Sequence, residues 1–380
     1  MKHTSPHLNR KEFLKKGGQA LCLMALGGAG ILHNEALSKP SSDYYTRPAR
    51  LWRKLSDGIV ECKLCPNGCQ LNEGERGICR VRQNIQGNLY TINYSRIASA
   101  HVDPIEKKPM FHFLPGSTAY SIATAGCNMW CKFCQNWELS QSNPEDLDSV
   151  EIKPADLPHR AMSSGSKVIA YTYNEPTVQF EYIVDSAAEA RKQGIRPIII
   201  SNGYILPEGG KVLAQNLDGI KIDLKAFTER FYSSVCGGSL KAVQNNLISI
   251  YGIVKWLEIV VLVIPTLNDT PAEIRSMAAW VRKNLSADVP MHFTRFRAMY
   301  KIQNLPPTPV SVLERCRTIA REEGIRYPYI GNVSGHQWEN TYCHSCNRML
   351  IQRSGYFHVV NNIRRGSCPH CGTRIPGIWT

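Results

Sequence analysis

Between residues 119 and 335 the sequence alternates apolar runs of strand length with longer segments that have the apolar spacing of helices. This alternation is typical of βα units, in which parallel strands pack side by side and helices cover them. Glycine or proline marks several helix limits, as Gly194 and Gly324 do. The predicted strands are 119–125, 167–173, 196–201, 219–224, 257–264 and 291–296, and the predicted helices include 177–193, 207–215, 271–284 and 309–323.

Six βα units are fewer than the eight of a complete TIM barrel, so the count favours a partial, open (β/α)6 barrel. The predicted fold class is therefore α/β, with the barrel at residues 119–335. In such folds, ligands and chemistry gather at the carboxyl ends of the strands. We expect the residues that directly follow the strands to form the functional site.

The chain has 14 cysteines, and most of them fall into three groups. Two cysteines with two residues between them can turn both sulfurs toward one metal, whereas disulfide frameworks rarely repeat that spacing. Metal binding is therefore favoured, and the isolated Cys22, Cys236 and Cys316 are interpreted as small buried apolar residues. The N-terminal packet is Cys62, Cys65, Cys69 and Cys79, the central packet is Cys127, Cys131 and Cys134, and the C-terminal packet is Cys343, Cys346, Cys368 and Cys371.

The central packet begins directly after the first predicted strand, at the edge where such a fold carries its chemistry. Three thiolates can hold three irons of a four-iron cluster and leave the fourth iron open to another ligand. An open coordination position is typical of a catalytic metal centre. The alternative, a three-cysteine zinc site completed by a histidine, is disfavoured because no histidine lies nearby in the sequence.

The segment CNMWCKFC, residues 127–134, resembles the CxxxCxΦC signature of the radical S-adenosylmethionine (SAM) superfamily, in which Φ is aromatic and is here Phe133. The resemblance implies a [4Fe-4S] cluster on the three cysteines, with the amino and carboxylate groups of SAM on the fourth iron. It further implies reductive cleavage of SAM to methionine and a 5′-deoxyadenosyl radical, which would abstract hydrogen from a substrate. Such chemistry requires a low-potential electron donor as a partner.

The same resemblance implies contacts to SAM at the ends of further strands. Asn174 and Glu175 stand where the family carries a Gly-Gly-Glu-like motif, and the Glu175 carboxylate could pair with the ammonium of SAM. Alternatively, Glu175 is an acid at the start of a helix. Asp223 and Lys225 could contact SAM or substrate, or merely pair with each other. The remaining implied contacts are Ser201 and Asn202 to the ribose, and His292 or Arg295 at the sixth strand, where His292 could instead be a structural histidine.

A closer resemblance, to the AmmeMemoRadiSam system radical SAM enzymes, rests on residues 62–69, 74–80, 103–109, 112–116 and 134–137. These enzymes are relatives of the pyruvate formate-lyase activating enzyme. The resemblance covers the chain from about residue 55 onward and implies partners with AMMECR-like or Memo-like domains. Two alternatives stay open: a glycyl-radical activase with a protein substrate, and a non-catalytic electron-transfer or binding protein that keeps the metals.

The two outer packets each offer four thiolates to a metal. The two CxxC pairs of the C-terminal packet have the spacing of a zinc ribbon, and closure by four thiolates favours a structural role, although a rubredoxin-like iron centre has the same ligands. For the N-terminal packet, zinc and an auxiliary iron-sulfur cluster that relays electrons are both open. Residues 41–118 are predicted to form an N-terminal Cys-rich module, and residues 336–380 a zinc-ribbon-like module.

Residues 1–40 are predicted to be a leader. A basic stretch at 9–16 precedes an apolar run at 17–32, which resembles a twin-arginine export signal with Lys11 in place of the second arginine. Export, a membrane tether and an uncleaved amphipathic leader are all open. Because SAM and low-potential electrons are cytoplasmic supplies, we expect catalysis in the cytoplasm or at its face of the membrane. The net charge of +14 is not gathered into a long basic run, and no nucleic-acid partner is expected.

Overall fold

A computed structural model of the protein describes residues 45–380. The predicted leader at residues 1–40 lies outside the described residues. Within residues 45–380, no helix has both the length and the apolar character needed to cross a membrane.

The described part of the chain forms nineteen strands and eight α-helices. The strands are β1 (Arg47–Pro48), β2 (Trp52–Lys54), β3 (Val60–Cys62), β4 (Gln70–Leu71), β5 (Arg82–Ile85), β6 (Asn88–Thr91), β7 (Arg96–Ile97), β8 (Ser99–Pro104), β9 (Thr118–Ala123), β10 (Val150–Glu151), β11 (Val168–Tyr171), β12 (Arg196–Ser201), β13 (Gly219–Asp223), β14 (Leu257–Val263), β15 (Met291–Arg295), β16 (Pro328–Gly331), β17 (Thr341–Tyr342), β18 (Met349–Ser354) and β19 (His358–Asn361). The helices are α1 (Trp137–Ser140), α2 (Leu157–Ser163), α3 (Phe180–Lys192), α4 (Pro207–Asn216), α5 (Glu229–Phe231), α6 (Leu240–Ile250), α7 (Pro271–Asn284) and α8 (Val310–Glu322).

The largest sheet, called the main sheet here, has eight strands in the order β16-β15-β14-β13-β12-β11-β9-β8. Neighbours from β9 to β16 pair in parallel, and β8 pairs antiparallel with β9 at one edge. A helix precedes each parallel strand after the first. The six predicted strands are all present, in an α/β fold with a mixed sheet, and β8 and β16 extend the sheet beyond them.

The parallel strands are apolar because both faces of the sheet are covered. Strand β14, for example, has the sequence LEIVVLV and is buried along most of its length. Helix limits follow the local signals: α7 begins at Pro271, and the Thr270 side chain accepts a hydrogen bond from the Glu273 amide at 3.3 Å. Helix α3 begins later than predicted, at Phe180, because a short 3-10 turn over Pro176–Gln179 precedes it.

The N-terminal packet lies on two small antiparallel sheets, β1-β6-β5 and β2-β3-β4, or in the loops beside them. A buried ion pair joins these sheets to the βα units: Arg82 of β5 donates from Nη2 to Glu181 of α3 at 2.8 Å. Both side chains are at most 3% exposed. An unpaired charge at this depth would be costly, so the pair fixes the position of β5 against α3.

Below the carboxyl edge of the main sheet, Glu258 of β14 is fully buried and accepts four hydrogen bonds. One oxygen accepts from the amide of His112 and from Trp256 Nε1, both at 2.8 Å. The other accepts from the amide of Phe111 at 3.0 Å and lies 2.7 Å from His292 Nε2. One carboxylate therefore holds the segment before β9 against β14 and β15.

The segment at residues 112–114 also pairs with a distant part of the chain. The His112 carbonyl accepts from the Ile378 amide, and the Leu114 amide donates to the Ile378 carbonyl, both at 2.7 Å. His112 Nδ1 lies 2.6 Å from the Pro376 carbonyl, a partner 264 residues away in sequence. Residues 376–378 and residues 112–114 thus form one layer, which lies beneath the main sheet.

Replacing Glu258 by glutamine is expected to lower the free energy of unfolding by about 2 kcal/mol or more. The carboxamide keeps one acceptor oxygen but turns an NH2 group toward donors that the carboxylate now satisfies. Urea unfolding of both proteins measures the loss. Glu208→Gln, at an exposed position of α4, is the control and should change stability by less than about 0.5 kcal/mol. Equal effects of the two substitutions would contradict the role assigned to Glu258.

Candidate functional site

A cavity of about 470 Å³ lies at the carboxyl edge of the main sheet. This volume is within the range of about 300–1,000 Å³ that small-molecule sites occupy. Its walls come from the loops that follow β9, β11, β12 and β13 and from the inner face of β14 and β15. The predicted site residues that line it are Cys127, Cys131, Phe133, Cys134, Asn174, Glu175, Asn202, Asp223 and Lys225.

The central packet is held by backbone contacts with a neighbouring segment. The amides of Trp130 and Lys132 donate to the carbonyls of Cys236 and Val235, both at 2.9 Å. These two carbonyls belong to a π-helical turn over Tyr232–Cys236. Because π-helical turns often occur at functional sites, this support for the cysteine loop is consistent with a functional role.

Each thiol of the central packet has a polar neighbour. The Met129 amide donates to Cys127 Sγ at 3.4 Å, and Ser140 Oγ lies 3.2 Å from Cys134 Sγ. Burial raises the pKa of Cys127. A hydrogen bond with Cys236 lowers the pKa of Cys131 against the effect of burial, and the charge of Lys225 adds to the lowering. Cys236, interpreted from the sequence as an apolar filler, is fully buried and contacts Cys131.

The spacing of the sulfurs distinguishes a cluster site from a single-ion site. With Zn–S bonds of about 2.3 Å, tetrahedral geometry puts ligand sulfurs about 3.8 Å apart. Within residues 45–380, the one group of three or more cysteine, histidine or acidic side chains with ligand atoms all within 4.8 Å is the C-terminal packet. The central packet is more widely spread. A four-iron cluster places each thiolate on its own iron, so the wider spacing fits a cluster.

Glu175 ties the ends of two strands together at the cavity wall. Its carboxylate accepts from the amides of Thr177 at 3.0 Å and Asn202 at 2.7 Å, and from Ser201 Oγ at 2.7 Å. Burial raises its pKa, against the effect of these bonds. A carboxylate offers about four acceptor positions, so capacity for about one further donor remains.

Two of the asparagines at the cavity wall, Asn174 and Asn202, hold the loop that carries Cys127. Asn174 Nδ2 donates to the Gly126 carbonyl at 2.9 Å. Asn202 Nδ2 donates to Asn128 Oδ1 at 2.9 Å and lies 3.9 Å from Cys127 Sγ. These amides hold the residues on both sides of Cys127, Gly126 through its backbone and Asn128 through its side chain.

Strand β13 contributes a charged wall. Asp223 lies between two lysines: Lys221 donates to one of its oxygens, and Lys225 Nζ is 3.5 Å from the other. Although burial opposes it, the charge of Asp223 holds the pKa of Lys225 well above its ordinary value. Lys225 Nζ also lies 5.7 Å from the centre of the Phe133 ring. The wall therefore carries fixed positive charge beside the central packet.

Several lining residues are not among the residues predicted from the sequence. Lys108 is 3% exposed and pairs with Asp103, which also accepts from the Tyr173 hydroxyl. Burial lowers the pKa of Lys108 to about 8. The sequence contains a signal for Lys221, which is one of the two charged residues in the short strand GIKID. Lys108, which reaches the cavity from the segment after β8, belongs to the motif at 103–109 that carries the closer family resemblance, but that motif alone does not place it at the site.

Ser201 and His292 do not line the cavity. Ser201 is 2% exposed, and its hydroxyl donates to Glu175. His292 is fully buried, with Nε2 against Glu258 and its ring stacked on Tyr329 at 5.1 Å. It shares a face with Thr294, which lines the cavity, but lies two residues deeper in the strand. The structure thus places His292 in the layer beneath the cavity and not in its wall.

The C-terminal packet has the geometry of a single-ion site. Cys343 and Cys371 have sulfurs 3.6 Å apart, and Cys346 and Cys368 have sulfurs 3.7 Å apart. These separations are close to the value of about 3.8 Å expected around one tetrahedral zinc. Cys343 lies just after β17, in the small sheet β17-β18-β19. This part of the chain could therefore hold one metal ion.

Residues 121–280 match the sequence profile of the Radical SAM superfamily. The uncharacterized protein MJ0808 of Methanocaldococcus jannaschii is 40% identical over 331 residues, which are 87% of this chain and 98% of that protein. The pyruvate formate-lyase-activating enzyme of Clostridium pasteurianum is 26% identical over 166 residues, 40% of this chain and 65% of that enzyme.

Among solved structures, Streptococcus suis SuiB bound to S-adenosylmethionine matches with a TM-score of 0.45 and 13% identity, covering 63% of this chain and 56% of that chain. The protein described here belongs to the radical SAM superfamily. It is related to the pyruvate formate-lyase-activating enzymes. Membership implies an enzyme that uses a [4Fe-4S] cluster and SAM.

Proposed function

We propose that this protein binds a [4Fe-4S] cluster on the central packet, cleaves SAM reductively, and uses the resulting radical to remove hydrogen from a substrate. The observation that carries the proposal is the opening of the three-cysteine packet into a cavity of about 470 Å³ lined by polar and charged side chains. When bound, the cluster supplies one electron to SAM, whose carbon-sulfur bond then breaks to give methionine and a 5′-deoxyadenosyl radical. The chain itself supplies ligands, orientation and exclusion of water.

The assignments of individual side chains follow from their places in the wall. Cys127, Cys131 and Cys134 hold the cluster. Glu175, with capacity for one more donor, is suited to the ammonium of SAM, as carboxylates bind cations through charge-assisted hydrogen bonds. Asn202 lies beside Cys127 and lines the same space, which suits a contact with the nucleoside.

The charged wall suits an anionic group at the reaction site. Lys221 and Lys225 share Asp223, so this cluster carries net positive charge. Because these groups are largely removed from water, their attraction for an anion is stronger than it would be at an exposed surface. The wall can therefore orient a carboxylate of SAM or of substrate.

The proposal also includes the shape of the main sheet, the metal of the C-terminal packet, the subfamily and the place of catalysis. The main sheet is taken to be a partial barrel, since the residues of β13, β14 and β15 that line the cavity share one face of the sheet. The C-terminal packet is assigned a structural zinc ion. The AmmeMemoRadiSam assignment, with AMMECR-like or Memo-like partners, rests on the sequence motifs. We place catalysis in the cytoplasm or at its face of the membrane, where SAM and low-potential electrons are supplied.

The experiment is anaerobic reconstitution with iron and sulfide, followed by addition of dithionite and SAM. We expect 5′-deoxyadenosine and methionine in equal amounts, detected by chromatography and mass spectrometry. The control uses S-adenosylhomocysteine, in which an unreactive thioether replaces the sulfonium of SAM. It gives no product. A protein with an intact four-iron cluster that yields no 5′-deoxyadenosine would overturn the enzyme assignment in favour of an electron-transfer or binding role.

A further inference from the structure

The N-terminal packet surrounds one small enclosed space. Its four cysteines, Arg82 and Asn128 line this space together. Cys62, Cys65 and Cys79 are at most 9% exposed. Four thiolates facing one enclosed space are the ligand set of either a zinc ion or a four-iron cluster.

The sulfur spacing favours a cluster over zinc. The C-terminal packet, in the same chain, has the close spacing of a single-ion site. In the part of the chain that the structure describes, neither the N-terminal nor the central packet brings three ligand atoms within the same 4.8 Å limit. The N-terminal packet thus resembles the packet assigned to a cluster and differs from the packet assigned to zinc.

Arg82 provides an independent sign of an anionic occupant. The guanidinium is 1% exposed, and its Nη2 is paired with Glu181. Its Nε and Nη1 are buried and have no hydrogen-bond partner among residues 45–380. Unpaired donors at such depth are costly, and a metal centre on four thiolates, whether zinc or a four-iron cluster, carries net negative charge that they can satisfy.

The packet lies directly behind the loop of the central packet. Asn128 follows Cys127 and lines the enclosed space, and its carbonyl accepts from Asn67 Nδ2 at 2.8 Å. On the other side, a Cβ built on Gly126 would lie 2.4 Å from the Cys79 carbonyl oxygen. The backbone of residues 126–128 therefore contacts both packets, which is a favourable arrangement for electron transfer over a short distance.

We propose that the N-terminal packet holds a second four-iron cluster on Cys62, Cys65, Cys69 and Cys79, which passes single electrons to the cluster of the central packet. The relay role rests on the proposed function, whereas the cluster itself does not. In each turnover the second cluster gains one electron from a low-potential one-electron carrier protein and loses it to the central cluster. No bond forms or breaks in the chain, and no proton is required.

The decisive protein is the triple variant C127A/C131A/C134A, because it leaves the N-terminal packet untouched. After anaerobic reconstitution we expect about 4 iron and 4 sulfide per chain, half the wild-type amount, together with about one zinc. Dithionite should then produce an electron paramagnetic resonance signal of a reduced four-iron cluster that does not change when SAM is added. Iron near zero with about two zinc ions per chain would overturn the proposal.

The relay is tested on the Cys65→Ala variant by comparing two reductants. Dithionite is small enough to reduce the central cluster directly, whereas a reduced flavodoxin needs the relay. We expect the ratio of flavodoxin-driven to dithionite-driven 5′-deoxyadenosine formation to fall about tenfold or more relative to wild type. An unchanged ratio would overturn the relay. If wild type made no 5′-deoxyadenosine, the iron content of the triple variant would still decide whether the second cluster exists.

Discussion

Replacing Cys131 by alanine is expected to reduce 5′-deoxyadenosine formation at least about 100-fold, to the detection limit of the assay. Loss of a residue that merely orients a metal ligand costs 10- to 100-fold, and loss of a ligand itself should cost more. Cys131 is 9% exposed and faces the cavity, so solvent has little access to replace its thiolate. Chromatographic measurement of the nucleoside after anaerobic reconstitution gives the result.

Cys316→Ala is the matched control for this substitution. Cys316 is also a buried cysteine, at 1% exposure, but it lies on helix α8. We expect its loss to leave cleavage within about twofold of wild type and to cost only a modest amount of packing energy. The zinc ion proposed for the C-terminal packet should remain in both variants. Cleavage that survives in Cys131→Ala at the level of the Cys316→Ala control would show that the cluster lies elsewhere.

Replacing Gly126 by alanine is expected to remove most of the iron from the protein and, with it, the cleavage of SAM. Gly126 has φ of +94°, where a side chain is strained, and the new Cβ would lie 2.4 Å from the Cys79 carbonyl oxygen and 2.8 Å from Val81 Cγ1. The carbonyl is backbone and cannot rotate away. Either the loop of Cys127 or the segment of Cys79 must move, and both carry proposed cluster ligands. Iron analysis measures the loss of bound iron, and the melting temperature measures the loss of stability.

Gly165→Ala separates the strain of the backbone from the clash. Gly165 has φ of +71°, but a Cβ there meets nothing within 4 Å. We expect this variant to lose only about 1–2 kcal/mol of stability and to keep its iron and its activity. If Gly126→Ala behaved like Gly165→Ala, the close approach of the two packets would have no importance for either cluster.

The sequence predicts the parallel strands well because they are continuous apolar runs. The two strands of the main sheet that it does not predict differ from this pattern. Strand β16 is only four residues, PYIG, and both its proline and its glycine are poor strand formers. Strand β8, SAHVDP, is an edge strand that is partly exposed, so it lacks a long apolar run. Such strands are formed by pairing with the rest of the sheet, which a local pattern does not contain.

For the site, the sequence locates the strand ends but not the depth of a side chain. His292 and Thr294 have the same orientation in β15, yet Thr294 reaches the cavity and His292 is buried beneath it against Glu258. Two residues in a strand correspond to about 6.6 Å. The partner of His292, Glu258, also accepts from the amide of Phe111, which comes from a different part of the chain, so this burial is not visible in the pattern of β15.

The metal proposed for each packet likewise rests on tertiary structure. Cys62 and Cys65 have the same spacing in sequence as Cys343 and Cys346. Only the C-terminal pair converges with a second pair to the distances of a single ion. The difference in spacing depends on where the connecting segments bring the second pair of cysteines, which the spacing within each pair does not contain.

The pairing of His112 with Pro376 has a consequence for the order of events during synthesis. The two residues are 264 positions apart. At about 5–20 residues per second, roughly 10 to 50 s pass between their translation. The central packet is synthesised soon after His112, so its cysteines leave the ribosome long before the layer under the main sheet can be completed. The nascent chain therefore has a period in which its proposed iron ligands are present while the layer under the main sheet is still incomplete.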